Sequence, residues 1–263
     1  MSPVVAESDN RTSSPPRFRT AAVVGAGVMG AGIAQTLAIR GIRVTCVDLD
    51  EVRLGRARQT VEDGRFGLRN ASDRGLLDEP WQDVAARLTY SVDLAGSVGD
   101  VDLVMEAIPE ELGSKVKLFR DLDRLSRPET VLVSNTSGFP ISALAQATDR
   151  PALVAGWHWA SPPPVNKLAE IVMHAESDRD VVESLVALAS ACGKNPVVLP
   201  DQPRVWGFVA NRVYFAMIAE AQRVVQEGVV TAEQLDQIMV DCFRWPVGPL
   251  SMVESAHAGW EKR

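Results

Sequence analysis

The sequence predicts an α/β protein in which a mostly parallel, doubly wound sheet is followed by a small all-helical part. Three observations carry this reading. From residue 21 to about residue 200, short apolar runs rich in β-branched residues alternate with amphipathic stretches. A glycine-rich turn joins the first such run to the first amphipathic stretch. After Pro200 the pattern changes to helix alone. Alternating βα units bury a parallel sheet between helices on both faces.

Taken in order, the runs at 21–24, 42–47, 101–107, 130–134 and 153–159 read as buried strands, because a parallel strand covered on both faces is apolar throughout. The stretches 29–40, 51–70, 112–125 and 141–147 between them read as helices. Further strands at 168–173 and 196–199 flank a helix at 178–191, and helices at 205–227 and 232–243 end the pattern. The 263 residues suit about two domains. Residues 17–200 form the sheet domain and 201–263 a helical one, while the polar, Ser- and Pro-rich residues 1–16 read as a disordered tail. Residues 20–39 carry no charge, but four glycines and a glutamine there make a strand, turn and helix rather than a membrane span.

A formal charge of −7 argues against non-specific binding to nucleic acid or an anionic membrane surface. Cys46, Cys192 and Cys242 are odd in number, widely spaced and without metal-ligand spacing. They read as reduced thiols of a cytoplasmic protein with no bound metal.

The turn after the first strand reads Gly25-Ala26-Gly27-Val28-Met29-Gly30 and opens a helix. This is the Rossmann-type dinucleotide fingerprint in its required context. Gly25 allows the tight turn, Gly27 lets backbone approach a pyrophosphate, and Gly30 permits close helix–strand packing. Val28 and Met29 open a helix whose free N–H groups face the phosphates. The second strand ends in Asp48, eighteen positions after Gly30. A carboxylate there accepts from ribose hydroxyls and repels a 2′-phosphate, so the expected cofactor is NAD.

There are three histidines. His257 is close to the C-terminus, and His174 follows a strand end. His158 lies on a strand ahead of a Pro-rich turn, and Glu170 lies on the strand after it. Such a hairpin can bring Glu170 against His158, and a carboxylate on one ring nitrogen raises the basicity of the other. On spacing alone, a packed core histidine remains the alternative.

Several motifs in order now resemble one family, the 3-hydroxyacyl-CoA dehydrogenases, from about residue 19 to 252. They are the glycine fingerprint with Asp48, Glu106-Ala107-Ile108-Pro109-Glu110, Ser134-Asn135-Thr136-Ser137, His158 through Glu170, Gly207-Phe208-Val209-Ala210-Asn211-Arg212 and Pro246-Val247-Gly248-Pro249. The resemblance implies an NAD-dependent oxidoreductase of fatty acid metabolism acting on a small molecule, an acyl-CoA. It makes His158 the general base, Glu170 its orienting carboxylate, and Ser137 and Asn211 the groups that hydrogen-bond the reacting oxygen. Glu110 and Lys115 correspond to residues near the nicotinamide half of NAD, and Asn135 to the loop beneath it. Without the family, Ser137 reads as a turn serine, Asn211 as a helix-start cap and Lys115 as part of a solvated helix face.

The chain departs from the family at several points. His158-Trp159-Ala160-Ser161-Pro162 replaces His-Phe-Phe-Asn-Pro, Gly138 follows Ser137, Glu111 stands where Asn is common, and Arg204-Val205-Trp206 precedes Gly207. These changes bear on the substrate, so a free hydroxy acid or a carrier-protein thioester is a second reading. An NAD-binding regulatory protein with weak catalysis is a third. Arg65, Arg69 and Arg74 are candidate contacts for anionic coenzyme A, although acidic residues are interleaved with them. The helical part is shorter than the family's usual C-terminal domain. Its first helix is apolar on several sides, through Phe208, Val209, Val213, Phe215, Ile218 and Ala219. Burial on several sides implies a homodimer held by this part.

Overall fold

In the computed structural model, which describes residues 17–253, eight strands make one sheet in the order β3-β2-β1-β4-β5-β6-β7-β8. The strands are β1 Thr20–Val24, β2 Arg43–Val47, β3 Leu88–Ser91, β4 Leu103–Glu106, β5 Val131–Ser134, β6 Val154–Trp159, β7 Leu168–Met173 and β8 Asn195–Pro200. Every neighbouring pair is parallel except β6–β7. Chain order reverses direction between β1 and β4, so the loops leaving these two strands diverge and open a crevice at their C-terminal ends.

The principal helices of the sheet region are α1 Val28–Ile39, α2 Glu51–Asp63, α6 Leu112–Leu125, α7 Ile141–Ala145 and α8 Arg179–Ala191; short α3 Leu68–Asp73, α4 Trp81–Ala85 and α5 Leu94–Val98 lie between. Most of α1 is buried, from Gly30 to Ala38, because its surface is built from Ala, Gly, Ile and Leu. Asp50, Glu111 and Asp178 cap α2, α6 and α8 by accepting from backbone N–H groups, so each helix start is set locally.

Some boundaries differ from the pattern reading. The helix expected at 51–70 is two helices, because the chain turns at Gly64, where a Cβ would lie 2.3 Å from the Thr60 carbonyl oxygen. Strand β3 was not expected. It is a short edge strand with Leu88 as its one buried residue, so it carries almost no apolar signal. No helix among the described residues is long and apolar enough to cross a membrane. The expected tail at 1–16 and His257 lie outside the described residues.

The chain divides into two compact units between Arg204 and Val205, rather than at Pro200. Asp201 belongs with the first: its N–H donates to the Met173 carbonyl, and its carboxylate accepts from Ile141 N–H (3.1 Å) and Ser142 N–H (3.0 Å) at the start of α7. The second unit holds α9 Val209–Gln226 and α10 Ala232–Phe243. There α10 starts with a capping box between Thr231 and Gln234, and Asp236 accepts from Leu250 and Ser251 N–H groups.

At the sheet's other end, away from the crevice, Asp102 joins the starts of β1 and β4. Burial would raise its carboxyl, but Arg19 N–H (2.7 Å), Thr20 N–H (2.9 Å), the Thr20 hydroxyl and the Arg127 guanidinium (2.5 Å) outweigh this and hold its pKa below the usual carboxylate range. Its contribution is complete above the unfolded-state Asp pKa and is lost as pH falls through the lowered folded-state value. Asp102→Asn should therefore cost about 1–3 kcal/mol at neutral pH, with the difference from wild type shrinking in acid. Thermal melts across that range check this; a stability gap independent of pH would refute it.

Candidate active site

The glycine loop separates what the protein needs from what it leaves open. Gly25 sits at φ +106°, and a Cβ there would lie 2.5 Å from the Ala107 carbonyl oxygen. At Gly30 a Cβ would lie 1.7 Å from the Gly25 carbonyl oxygen. Both are demanded by the protein's own backbone. At Gly27 a Cβ would meet no protein atom within 4 Å. Gly27 is also the N-cap of α1, with no side-chain cap on the N–H groups of that first turn. The missing side chain keeps clear a space beside free donors, which fits a pyrophosphate. Val28, next in line, is an apolar residue left 45% exposed.

Asp48 ends β2 beside this loop. Its Oδ2 accepts from Ala26 N–H (2.7 Å), its Oδ1 accepts from Leu49 N–H (2.7 Å), and Arg53 lies 3.4 Å away. It thus ties the end of β2 to the glycine turn and keeps acceptor capacity for a ribose hydroxyl.

On the other side of the crevice, the loops after β4 and β5 share a polar network. Parallel register places Ser134 beside Glu106, and the Ser134 hydroxyl donates to Glu106 Oε2 (2.5 Å). Glu106 Oε1 accepts from Ile108 N–H (2.8 Å) and from Lys115 Nζ (2.5 Å). Lys115 also donates to the Ile108 carbonyl (3.2 Å) and pairs with Glu110 at 3.2 Å. Glu110 in turn accepts from the Thr136 hydroxyl (2.6 Å) and Ser137 N–H (2.9 Å). Burial pushes the Glu106 carboxyl above the usual range, against the pull of Lys115 and its other donors. Lys115 is no solvated-face residue. It is 1% exposed, on the same stripe of α6 as Phe119 and Leu122. Asn135 Oδ1 accepts from Trp159 N–H (3.0 Å), which joins this loop to the end of β6.

His158 and Glu170 are direct partners across the antiparallel β6–β7 pair. His158 Nδ1 and Glu170 Oε2 are 2.7 Å apart, and both side chains are buried. A carboxylate only accepts, so Nδ1 carries the proton and Nε2 is the ring nitrogen with the basic lone pair. The neighbouring Trp157 and Trp159 stack at 4.5 Å on the sheet's opposite face, where Lys194 lies 5.0 Å from the Trp159 ring. His174 is not a competing base. It is buried, with Nε2 on the Pro151 carbonyl (3.0 Å) and Nδ1 accepting from Glu176 N–H.

The structure thus gathers Gly25, Gly27, Val28, Met29, Gly30, Asp48, Glu110, Lys115, Asn135, Ser137, His158 and Glu170 at the C-terminal edge of one sheet. Asn211 lies in the second unit, half-buried in the first turn of α9, whose N-cap is Phe208. Sequence reasoning gave no role to Glu106 or Thr136, which hold this edge together. The available signal was a glutamate closing an otherwise apolar strand, with a lysine nine positions on. The departures also have local uses: Glu111 caps α6 through Gly113 and Ser114 N–H groups, and Trp206 packs on Phe215 at 6.1 Å within the second unit. Of the three candidate arginines, Arg69 pairs with Asp63 and stacks on Trp81, whereas Arg65 and Arg74 line a pocket of about 120 Å³ with Arg40 and Asn70.

An open parallel sheet that reverses order beside a glycine loop, with an acidic residue ending β2, defines a dinucleotide-dependent oxidoreductase. The chain belongs to the 3-hydroxyacyl-CoA dehydrogenase family: residues 20–202 match its NAD-binding domain and residues 207–263 its C-terminal domain. Its cofactor is NAD. It is similar to a probable 3-hydroxybutyryl-CoA dehydrogenase of Deinococcus radiodurans, 36% identical over 232 residues that cover 88% of this chain and 81% of that protein. It is 38% identical over 255 residues to the peroxisomal bifunctional enzyme of Danio rerio, covering 95% of this chain and 33% of the larger enzyme. Among solved structures, (S)-3-hydroxybutyryl-CoA dehydrogenase of Ralstonia eutropha superposes with a TM-score of 0.83 at 32% identity, covering 89% of this chain and 81% of that one.

Because no protein atom lies near a Cβ at Gly27, Gly27→Ala should leave the melting temperature unchanged and weaken NAD binding by roughly tenfold, about 1.4 kcal/mol. Fluorescence titration with a parallel melt checks this; unchanged affinity would mean that the open side of the loop faces no ligand.

Proposed function

We propose that the chain interconverts an L-3-hydroxyacyl-CoA and the corresponding 3-oxoacyl-CoA, with the His158–Glu170 pair as general base. The observation that carries this is the 2.7 Å contact between His158 Nδ1 and Glu170 in a buried hairpin at the crevice edge. NAD, when bound, supplies the hydride acceptor. His158 Nε2 takes the hydroxyl proton as the alcohol is oxidised, and Glu170 stabilises the imidazolium that forms. In the reverse direction the imidazolium returns the proton to the developing alkoxide. Ser137 and Asn211 hydrogen-bond the reacting oxygen, as their motifs in the family imply. Ser137 is suited to this because Glu110 fixes its backbone. Glu110 and the Lys115 behind it serve the nicotinamide half of the crevice, and Asn135 the loop beneath.

A coenzyme A thioester is supported by the names of the relatives and by the cationic lining of the pocket beside α3, where Arg40, Arg65 and Arg74 converge. Ser161 in place of the family's Asn keeps a free hydroxy acid or a carrier-protein thioester as the second reading. The reaction belongs to fatty acid metabolism, and we assign it to the cytoplasm, which suits three free cysteines. NADH oxidation against acetoacetyl-CoA, longer 3-oxoacyl-CoAs and free 3-oxo acids tests the substrate. Turnover on CoA thioesters supports the first reading, turnover on free acids alone selects the second, and none at all favours a regulatory NAD-binding protein. On the best substrate, His158→Gln should lower kcat by ~10²-fold or more with NADH affinity nearly unchanged; near-normal turnover would place the base elsewhere.

The assembly we propose is a homodimer held by the helical unit. Val209, Val213 and Phe215 on α9 and Ile238 and Phe243 on α10 are all more than half exposed. Such a surface suits a self-complementary contact with a second copy. Light scattering at low micromolar concentration should give twice the chain mass; a value near 28.5 kDa would refute the dimer.

A further inference from the structure

Lys115 finds its partners inside the protein. Its Nζ donates to Glu106 Oε1 and the Ile108 carbonyl and forms an ion pair with Glu110 Oε2, and the side chain is 1% exposed. Its positive charge therefore sits behind the crevice. Glu106 is fully enclosed as well. Of the three side chains, only Glu110 reaches solvent, at 33% exposed. Lys115 and Glu106 are sealed in together, and the Glu110 carboxylate is the end of the cluster that faces outward. The Thr136 hydroxyl and Ser137 N–H hold that end in place.

The position of this charge in the crevice follows from topology. The glycine turn after β1 receives the pyrophosphate and Asp48 after β2 the first ribose, so the second half of a dinucleotide extends over β4 and β5. Those strands and the loops that leave them carry Glu106, Glu110, Thr136 and Ser137. The nicotinamide ring is cationic when oxidised and neutral when reduced. A negative charge held in a fixed place at the crevice surface favours the cationic form over the neutral one, by a modest factor because solvent screens it.

We infer that the Glu106–Lys115–Glu110 cluster is a redox-state selector: it strengthens binding of the oxidised cofactor relative to the reduced one through the outward carboxylate of Glu110. This rests on the dinucleotide reading of the glycine loop and goes beyond it, because that reading is indifferent to the cofactor's oxidation state. Lys115 is a positioning residue in this scheme. It holds Glu110 at 3.2 Å and, by pairing with Glu106, anchors that contact in the protein interior.

The test is calorimetric titration of the full-length protein with NAD⁺, NADH and ADP-ribose, comparing wild type with Glu110→Gln and Glu110→Asp. Glu110→Gln removes the charge and keeps a carbonyl acceptor for Thr136 and Ser137. It should weaken NAD⁺ binding by roughly three- to tenfold while NADH and ADP-ribose change less than about twofold. Glu110→Asp keeps the charge and should preserve the wild-type ratio of NAD⁺ to NADH affinity. Equal weakening of NAD⁺ and NADH by Glu110→Gln, or an Asp variant that behaves like Gln, would overturn the selector and leave Glu110 with a purely structural part. ADP-ribose lacks the nicotinamide, so failure of the wild-type protein to bind it would instead refute the cofactor site itself.

Discussion

Everything at the functional edge depends on how closely two backbones meet between β1 and β4. The turn leaving β1 and the segment leaving β4 are so near that Gly25 has no room for even one carbon beyond its backbone. Ala107 N–H reaches the Val24 carbonyl at 2.7 Å, Gly25 N–H reaches Val47 at 2.8 Å, and Asn135 N–H reaches Glu106 at 2.8 Å. These bonds extend the parallel ladder past the strand ends, so four strands deliver their loops at one level. The first half of the crevice then follows from the glycine turn and Asp48, and the second from the loops after β4 and β5.

The second half is built at some energetic risk. A buried ion pair recovers its desolvation cost only when the remaining donors and acceptors are also satisfied. Glu106 and Lys115 meet that condition through Ser134, Ile108 and Glu110, none of them distant in the sheet. The requirement explains why the network is continuous from α6 to the Ser137 loop. Removing one member would strand a charge where water does not reach. Rigidity at this edge thus comes from polar satisfaction, whereas around α1 it comes from apolar packing.

Much of this was readable in the chain. Strand and helix order, the glycine turn, Asp48 and the pairing of His158 with Glu170 all follow from local patterns of period and spacing. The misses have physical causes. Strand β3 has one buried residue and no alternation to detect, and the break at Gly64 sits inside an otherwise helical composition. Lys115 read as solvated because charge outweighed its place on the Phe119 and Leu122 stripe. Its real environment depends on Glu106 and Glu110, which three-dimensional neighbours set and periodicity does not. Asn211 illustrates the same limit, since a position in the first turn of α9 says nothing of what it faces.

The lone antiparallel pair in the sheet has one more consequence. Trp157, Trp159, Ala169 and Ile171 belong to the apolar core on one face of the β6–β7 hairpin, and His158 and Glu170 alternate with them onto the other. A slip of β7 by one residue would bring Ala169 or Ile171 opposite His158 and drive the glutamate into the layer of stacked indoles. No partly correct register therefore exists in which the core is sound and His158 lies away from Glu170. Hydrophobic burial proofreads the His158–Glu170 pair, and a chain that has packed this hairpin has already aligned the imidazole with its carboxylate.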